Sequence, residues 1–405
     1  MEGLTVTICG GGNGAHAFAG ISSLVENTHV TVLDIFEDEA ERWNATLVKN
    51  GFRIKYRNGE VREQRPGETK FSVTRDVGVI SRSDMVFLVV PAYAHETYLK
   101  LITPHLKETA IVIGMPGHAG FEYQCGSILR ENGKSNTIVA LETLPWACRY
   151  TKYGEEVDIV GTKEEVYCSM VNPEGSTTKK DSLMTLLQTL IGPKPVVKLC
   201  ENYVKLTLMA KSTIHPPIMY ARWKDWDGGS LESPPLFYQG VDETAAKYLD
   251  GVNNEVIATA ERLSQKFPQH DFSGIPTMQD WFIHHYGDQI ADKSTLVSCL
   301  KTNSGYEGLN HPMSKTKDGK YVPDFGYRYI VEDIPYGLVV LKQIADMVGV
   351  DTPVINEIVE WAQEKIGVIF IQDGRLGDVE REHARMPKAY GIDNIDILVS
   401  FFKSS

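Results

Sequence analysis

Leu4-Thr5-Val6-Thr7-Ile8-Cys9-Gly10-Gly11-Gly12-Asn13-Gly14-Ala15-His16-Ala17 is the stretch that decides the fold. Leu4 to Cys9 is apolar and β-branched and reads as a buried strand. A glycine cluster follows, and then Ala15-His16-Ala17-Phe18-Ala19, which is good helix material. Strand, glycine turn and helix in that order make Gly10-x-Gly12-x-x-Ala15 a dinucleotide-binding signal. Gly10 allows the tight turn, Gly12 lets a pyrophosphate approach the backbone, and Ala15 lets the helix sit close to the strand. The helix N-terminus offers free N–H groups and partial positive charge to the phosphates. Asn13 and Gly14, inside the turn, complete the expected cofactor contacts. Residues 30–34 read as the next strand and end in Asp34, about 20 residues beyond the glycines, where such folds place the acid that binds the adenosine ribose. A carboxylate there repels a 2′-phosphate and favours NAD over NADP. The competing reading is a glycine-rich turn of another α/β protein, with Asp34 as a helix cap.

Outward from this motif, helical patterns at 15–26, 37–50 and 93–105 alternate with strand patterns at 30–34, 85–90, 110–115 and 137–142. Such alternation implies βαβ units and a parallel sheet. Residues 52–75 interrupt it with a hairpin signal around Asn58-Gly59, read as an antiparallel insertion. Residues 156–161 and 194–198 read as short strands around an amphipathic helix at 179–191. Beyond residue 200 the pattern is helical, at 201–223, 242–266, 278–286, 334–348 and 355–365. The expected fold class is α/β: an N-terminal Rossmann-like, doubly wound parallel sheet over residues 1–200, and a C-terminal, mainly α-helical domain over 201–405.

A chain of 405 residues is too long for one compact core. With 42% hydrophobic and 23% charged residues it has the composition of a soluble globular protein, and its net charge of −12 argues against nucleic acid or an anionic membrane as partner. The six cysteines are scattered without metal-ligand spacing, which excludes a disulfide framework or a zinc site. No apolar run approaches the ~18 residues of a membrane span. No signal or transit peptide is visible, so a cytoplasmic location is the default expectation.

Substrates of two-domain dinucleotide enzymes usually sit between the domains, so polar residues of the helical half become candidates. His215 falls on a semi-apolar stripe with Val204, Leu208, Ser212 and Met219, and Pro216-Pro217 should kink or break the helix there. The plain alternative is a core histidine at a bend. Arg328 can clamp a carboxylate, and Asp333 follows it just before a helix, where it suits an N-cap as well as catalysis. Three loops follow predicted strands at their carboxyl ends, where open parallel sheets bind ligands. Thr143 and Cys148 belong to the first, Pro91 to the second and His118 to the third. Ordinary Pro and Gly punctuation would explain all three equally well. No metal-binding motif occurs, and none is expected to hold a metal ion.

Taken together, four segments resemble the opine dehydrogenase family, closest to its invertebrate members. They are Cys-Gly-Gly-Gly-Asn-Gly-Ala-His at 9–16, Glu-Thr-Leu-Pro-Trp-Ala-Cys-Arg at 142–149, Ile-His-Pro-Pro at 214–217 and Asp-Phe-Gly-Tyr-Arg-Tyr-x-x-Glu-Asp-Ile-Pro at 324–335. The resemblance implies NADH-dependent reductive condensation of pyruvate with the amino group of an amino acid, and a monomer that closes around its substrates. It further implies a His215–Asp333 dyad, Arg328 on the carboxylate of pyruvate, and a role in regenerating cytosolic NAD during anaerobic glycolysis. The residue types fit: amine addition, loss of water and imine reduction need proton transfers near neutral pH, which suits a histidine oriented by a carboxylate.

One departure bears on the substrate. The arginine-using pattern of the family carries glutamine at the position of His118, which puts arginine in doubt and favours alanine, glycine, β-alanine or taurine. The runner-up is a related NAD-dependent hydroxyacid dehydrogenase using Lys211, four residues before His215. A non-enzymatic NAD sensor would need no dyad.

Overall fold

A computed structural model describes residues 3–36, 38–172 and 178–402. The chain divides into two compact units, Met1–Tyr203 with Phe401–Ser405, and Val204–Ser400.

The first unit is built on an eight-stranded sheet in the order β12-β11-β8-β7-β6-β1-β2-β5. Its strands are β1 (Leu4–Cys9), β2 (Thr28–Leu33), β5 (Phe71–Thr74), β6 (Met85–Leu88), β7 (Ile111–Gly114), β8 (Thr137–Leu141), β11 (Glu165–Val171) and β12 (Val196–Cys200). From β8 to β5 all pairs are parallel, and β6, β7 and β8 are buried at every position, as expected of strands covered on both faces. The expected sheet is corrected at one end: β11 pairs antiparallel with β8, and β12 runs with β11.

A second sheet, β4-β3-β10-β9, joins β3 (Phe52–Tyr56) and β4 (Val61–Gln64) to β9 (Trp146–Lys152) and β10 (Glu156–Thr162). The Asn58-Gly59 hairpin is β3-β4, with Gly59 at φ +87°. The predicted insertion ends there, because β5 rejoins the main sheet as an edge strand. Helix α1 (Asn13–Ser22) packs against β1 and β2 of one sheet and β3, β9 and β10 of the other. That position explains its composition. Ala15 to Ser22 are all buried, as in a helix with no solvent face, and a side chain at Gly20 would meet Phe52 at 2.6 Å. His16 stacks on Trp43 at 3.7 Å. Its Nε2 accepts from the Gly154 N–H, so its Nδ1 carries the hydrogen bonded to the Gly12 carbonyl. Burial pushes its pKa down to about 4, which makes it a neutral core residue. The remaining helices are α2 (Glu39–Asn50), α3 (Ala92–Ile102), α4 (Phe121–Glu131) and α5 (Lys180–Ile191).

The second unit is helical, with four short strands paired as two hairpins. The expected helix at 201–223 is three pieces: α6 (Tyr203–Leu208), a 3₁₀ turn Lys211–Thr213, and α7 (His215–Trp223). Of the two expected outcomes, kink or break, the structure shows a break, and the prolines open a new helix. They occupy the first positions of α7, where a missing N–H costs nothing. Its long helix is α8 (Glu243–Lys266), capped by Asp242, whose side chain accepts from the Ala245 N–H. Shorter helices follow as α9 (Met278–Tyr286), α10 (Leu296–Lys301), α11 (Arg328–Val331), α12 (Val339–Val348), α13 (Pro353–Ile366) and α14 (Ile395–Ser400). Between α11 and α12 lies a π-helical turn, Ile334–Leu338. Among the described residues no helix is long and apolar enough to cross a membrane, and all six cysteines are buried thiols outside any disulfide.

Candidate active site

In the first unit the glycine turn sits at the carboxyl edge of the sheet, between β1 and α1. Gly10 has φ +113°, and a Cβ there would lie 2.5 Å from Val90 Cγ1 and 2.8 Å from the Val89 carbonyl oxygen, so only glycine fits. Gly12 is the opposite case. It caps α1 and a Cβ would meet nothing within 4 Å, which leaves its backbone open to a ligand. Gly14 is crowded by Val89 Cγ1 at 2.9 Å and Leu144 Cδ1 at 3.1 Å, and Ala15 is fully buried. The Asn13 side chain accepts from the Tyr150 N–H.

Asp34 lies just past β2, fully buried, and its Oδ1 accepts from the Phe36 N–H. Its Oδ2 has no hydrogen-bond partner among the described residues. A buried carboxylate oxygen without a donor is what a ribose hydroxyl would satisfy. Gly11, which sequence reasoning passed over, makes room for it: a Cβ on Gly11 would lie 2.0 Å from Asp34 Oδ2. The open cradle at Gly12 and this orphan oxygen fit a dinucleotide. Burial pushes the Asp34 carboxyl up to about 6; the Phe36 amide opposes the rise, and Glu39 close by adds to it. Two neighbouring acids also disfavour a 2′-phosphate.

A raised carboxyl pKa means that the fold prefers the protonated form. The contribution to stability is therefore full below the ordinary value of 3.8 and is lost as pH rises through about 6. We expect Asp34→Asn to melt higher than the parent above pH 6 without cofactor. Its affinity for NADH should fall by about 10- to 100-fold, since it loses charge-assisted hydrogen bonds to the ribose. Thermal melts across pH and an NADH titration check both.

The other loops of this edge follow β6, β7 and β8, whose ends are in register with that of β1. Pro91 caps α3, His118 adopts φ +58° after β7, and Thr143 is half-buried after β8. Cys148 is placed elsewhere. The stretch 141–149 is not one loop, because Trp146 starts β9, and Cys148 pairs with Ile159 of β10 inside the apolar core. Burial pushes its thiol up to about 12, the setting of a packing residue.

In the second unit His215, Arg328 and Asp333 come together. His215 Nδ1 lies 2.6 Å from Asp333 Oδ2, with side-chain exposures of 17% and 5%. Its Nε2 lies 2.9 Å from the Tyr238 hydroxyl, and its ring stacks on Tyr329 at 3.8 Å and 11°. The imidazole is thus clamped at both nitrogens and on one face. As a carboxylate Asp333 only accepts, so Nδ1 carries a hydrogen and Nε2 is the nitrogen left to exchange a proton.

The N-cap reading of Asp333 is corrected: its side chain makes no capping bond and goes to His215 instead. The π turn that follows, with the Leu338 N–H donating to the Asp333 carbonyl, is a widened coil of the kind common at functional sites. Its Gly337 packs directly on Ser212, where a Cβ would come within 2.1 Å of the serine Cβ. This contact brings the turn after Asp333 against the segment just before His215.

Arg328 starts α11 with its side chain half exposed, and its Nε lies 3.4 Å from the buried Glu332 carboxylate. Partial loss of its water works against its charge, but the Glu332 and Asp333 carboxylates outweigh that and raise its pKa. Glu332 meets the guanidinium on its Nε side. Lys211 holds its ammonium 4.7 Å over the Trp281 ring. Tyr238 and Gly337 have no local sequence signal as site residues, since tertiary contacts alone give them their places, whereas Tyr329 and Glu332 stand in the 324–335 segment beside Arg328 and Asp333.

A glycine cradle beside a buried acid in one unit, and a carboxylate-held histidine in the other, are parts that an NAD-dependent dehydrogenase needs. Comparison with known proteins narrows this further. A family model described as the alpha-helical domain of NAD/NADP octopine/nopaline dehydrogenase matches residues 199–366. The chain is 39% identical over 401 residues to the opine dehydrogenase of Haliotis discus hannai, covering 98% of each. It is 38% identical to the tauropine dehydrogenase of Arabella iricolor, covering 98% of this chain and all of the relative. The solved structure of an octopine dehydrogenase with NADH and L-arginine superposes with a TM-score of 0.87 at 35% identity over 99% of each chain, and its complex with NADH and pyruvate with a TM-score of 0.86. The chain belongs to the opine dehydrogenase family, and it is an NAD-dependent oxidoreductase acting on the CH–NH bond.

Proposed function

We propose that the chain condenses pyruvate reductively with the amino group of a small amino acid, taking alanine, glycine, β-alanine or taurine. The observation that carries this reading is the His215–Asp333 pair at 2.6 Å, with the Asp333 N–H donating to the Arg328 carbonyl five residues earlier. The tauropine-forming relative and the pyruvate complex of an octopine dehydrogenase support it. Arg328 holds the keto-acid carboxylate. His215 takes a proton from the substrate ammonium, which frees the amine to attack the keto carbon. The same proton then helps the hydroxyl of the adduct leave as water, so the histidine ends as it began. Asp333 fixes the tautomer and stabilises the charged ring in between. Bound NADH supplies the hydride that reduces the imine. Gly10, Gly12, Asn13, Gly14, Ala15, Asp34 and Pro91 serve the cofactor, and Thr143 and His118 serve the amino substrate. Because the reaction consumes NADH and pyruvate together, its proposed role is to regenerate NAD in anaerobic glycolysis, in the cytoplasm, as a monomer.

The test is NADH oxidation with pyruvate and each of alanine, glycine, β-alanine, taurine and arginine. We expect turnover only when keto acid and amine are both present, and fastest with a small amine. Comparable turnover with the keto acid alone would sink the reading in favour of a hydroxyacid dehydrogenase.

A further inference from the structure

Building on the reductive-condensation reading, we propose that Tyr238 is the proton relay between His215 and the reacting substrate. Asp333 occupies Nδ1, so any proton His215 gives or takes passes through Nε2, and the Tyr238 hydroxyl stands there at 2.9 Å. The tyrosine is wedged in place. It stacks on Tyr306 at 3.9 Å and 15°, meets Phe237 edge-on at 4.8 Å and is 8% exposed. A phenol held on two sides does not swing away to bare the histidine. A hydroxyl can donate and accept at once, so it suits Nε2 in both protonation states. When the ring is neutral, Tyr238 donates to Nε2; when it is charged, Nε2–H donates to Tyr238. Burial pushes the phenol well above its ordinary pKa, with Tyr329, Tyr286 and Asp333 adding to the rise, so the hydroxyl keeps a proton to pass on.

The relay balances in both directions. In amine activation the ammonium N–H proton moves to the Tyr238 oxygen as the tyrosine proton moves to Nε2, leaving a free amine and an imidazolium. The amine lone pair then forms the C–N bond as the carbonyl π pair moves to oxygen, and an N–H proton shifts to that oxygen to give the hydroxyl of the adduct. In dehydration the C–O bond breaks with its electron pair on oxygen, and the nitrogen lone pair forms the C=N bond of the protonated imine. The leaving hydroxyl takes the Tyr238 proton, and Nε2 returns its own to Tyr238. One water leaves, and tyrosine and histidine are both restored.

Tyr238→Phe removes one oxygen from an aromatic stack and should fold. We expect kcat to fall by about 10- to 100-fold, with KM for NADH and pyruvate changed by less than about twofold. We also expect the solvent deuterium isotope effect on kcat to rise, because proton transfer becomes limiting. Tyr306→Phe, which removes a buried hydroxyl one ring further from the histidine, should leave both readouts in place and serves as the packing control. An unchanged kcat and isotope effect in Tyr238→Phe would overturn the relay. So would a rise in kcat, which would mark Tyr238 as a cap that substrate displaces. A uniform loss in kcat and KM with a lowered Tm would assign it a packing role. A native enzyme that reduces a keto acid without amine would overturn the condensation reading, yet the same variant would still report on the relay, since an alkoxide must also be protonated.

Discussion

His215→Asn is expected to lower kcat for reductive condensation by roughly 10²- to 10⁴-fold, the range that a positioned acid–base group supplies. Asparagine keeps a polar partner near the buried Asp333, whereas alanine would strand that carboxylate at a cost of about 3–5 kcal/mol and mix unfolding with lost chemistry. Asp333→Asn should give a loss of similar size, since its carboxylate acts through the histidine at 2.6 Å by setting the tautomer. The double variant should be little worse than either single one, because groups that act as one unit are not additive. Steady-state rates together with melts of all three proteins check this. Multiplying losses in the double variant would mean that the two residues work separately.

Gly337→Ala should strongly disturb both the stability and the site of the second unit. Its Cβ would sit 2.1 Å from Ser212 Cβ and 2.2 Å from its Oγ, neither of which is the far end of a flexible chain. The π turn has to move. Overpacking of this kind costs about 1–3 kcal/mol and lowers Tm by several degrees. Because Asp333 precedes this turn and His215 follows Ser212 closely, the displacement also separates the dyad. We expect activity to fall by at least about 10²-fold, since misplacement by even an ångström is that costly. Ser212→Gly in the same chain should restore both stability and rate. Failure of that rescue would show that the glycine is needed for something other than this contact.

The residues differ in how far the sequence exposes them. The dinucleotide half is legible because its constraints are local. A tight turn, a strand and a helix start must follow one another, and Gly10, Gly12 and Asp34 stand where that sequence of elements requires. Glycines whose neighbours are distant in the chain are harder to read. Gly11 looks like one more member of the cluster until Asp34 is seen against it, and Gly20 like a weak point in a helix until Phe52 is seen. Apolar spacing and proline chemistry pull against each other over 201–223. Its apolar spacing suits one helix, but Pro216 and Pro217 are better placed at the start of a new one, and the chain breaks before them. The stretch 141–149 looked like a single loop because β9 pairs with β10, and an antiparallel partner leaves no local trace.

The class of cofactor, the alternation that builds the parallel sheet and the helical second half follow from short-range geometry: turns, periods and the chemistry of single side chains. Spacing left His215, Arg328 and Asp333 as candidates, and the family resemblance singled them out. Tertiary structure alone decided what those residues do for one another. Asp333 could have capped a helix, and only the approach of the π turn to Ser212, permitted by the missing Cβ of Gly337, turns its carboxylate to His215. The Tyr238 hydroxyl reaches the other imidazole nitrogen from a separate segment of the chain, and no spacing rule predicts that meeting. Hydrogen bonds between distant segments depend on how the core packs, and packing is a property of the whole unit rather than of any stretch of it.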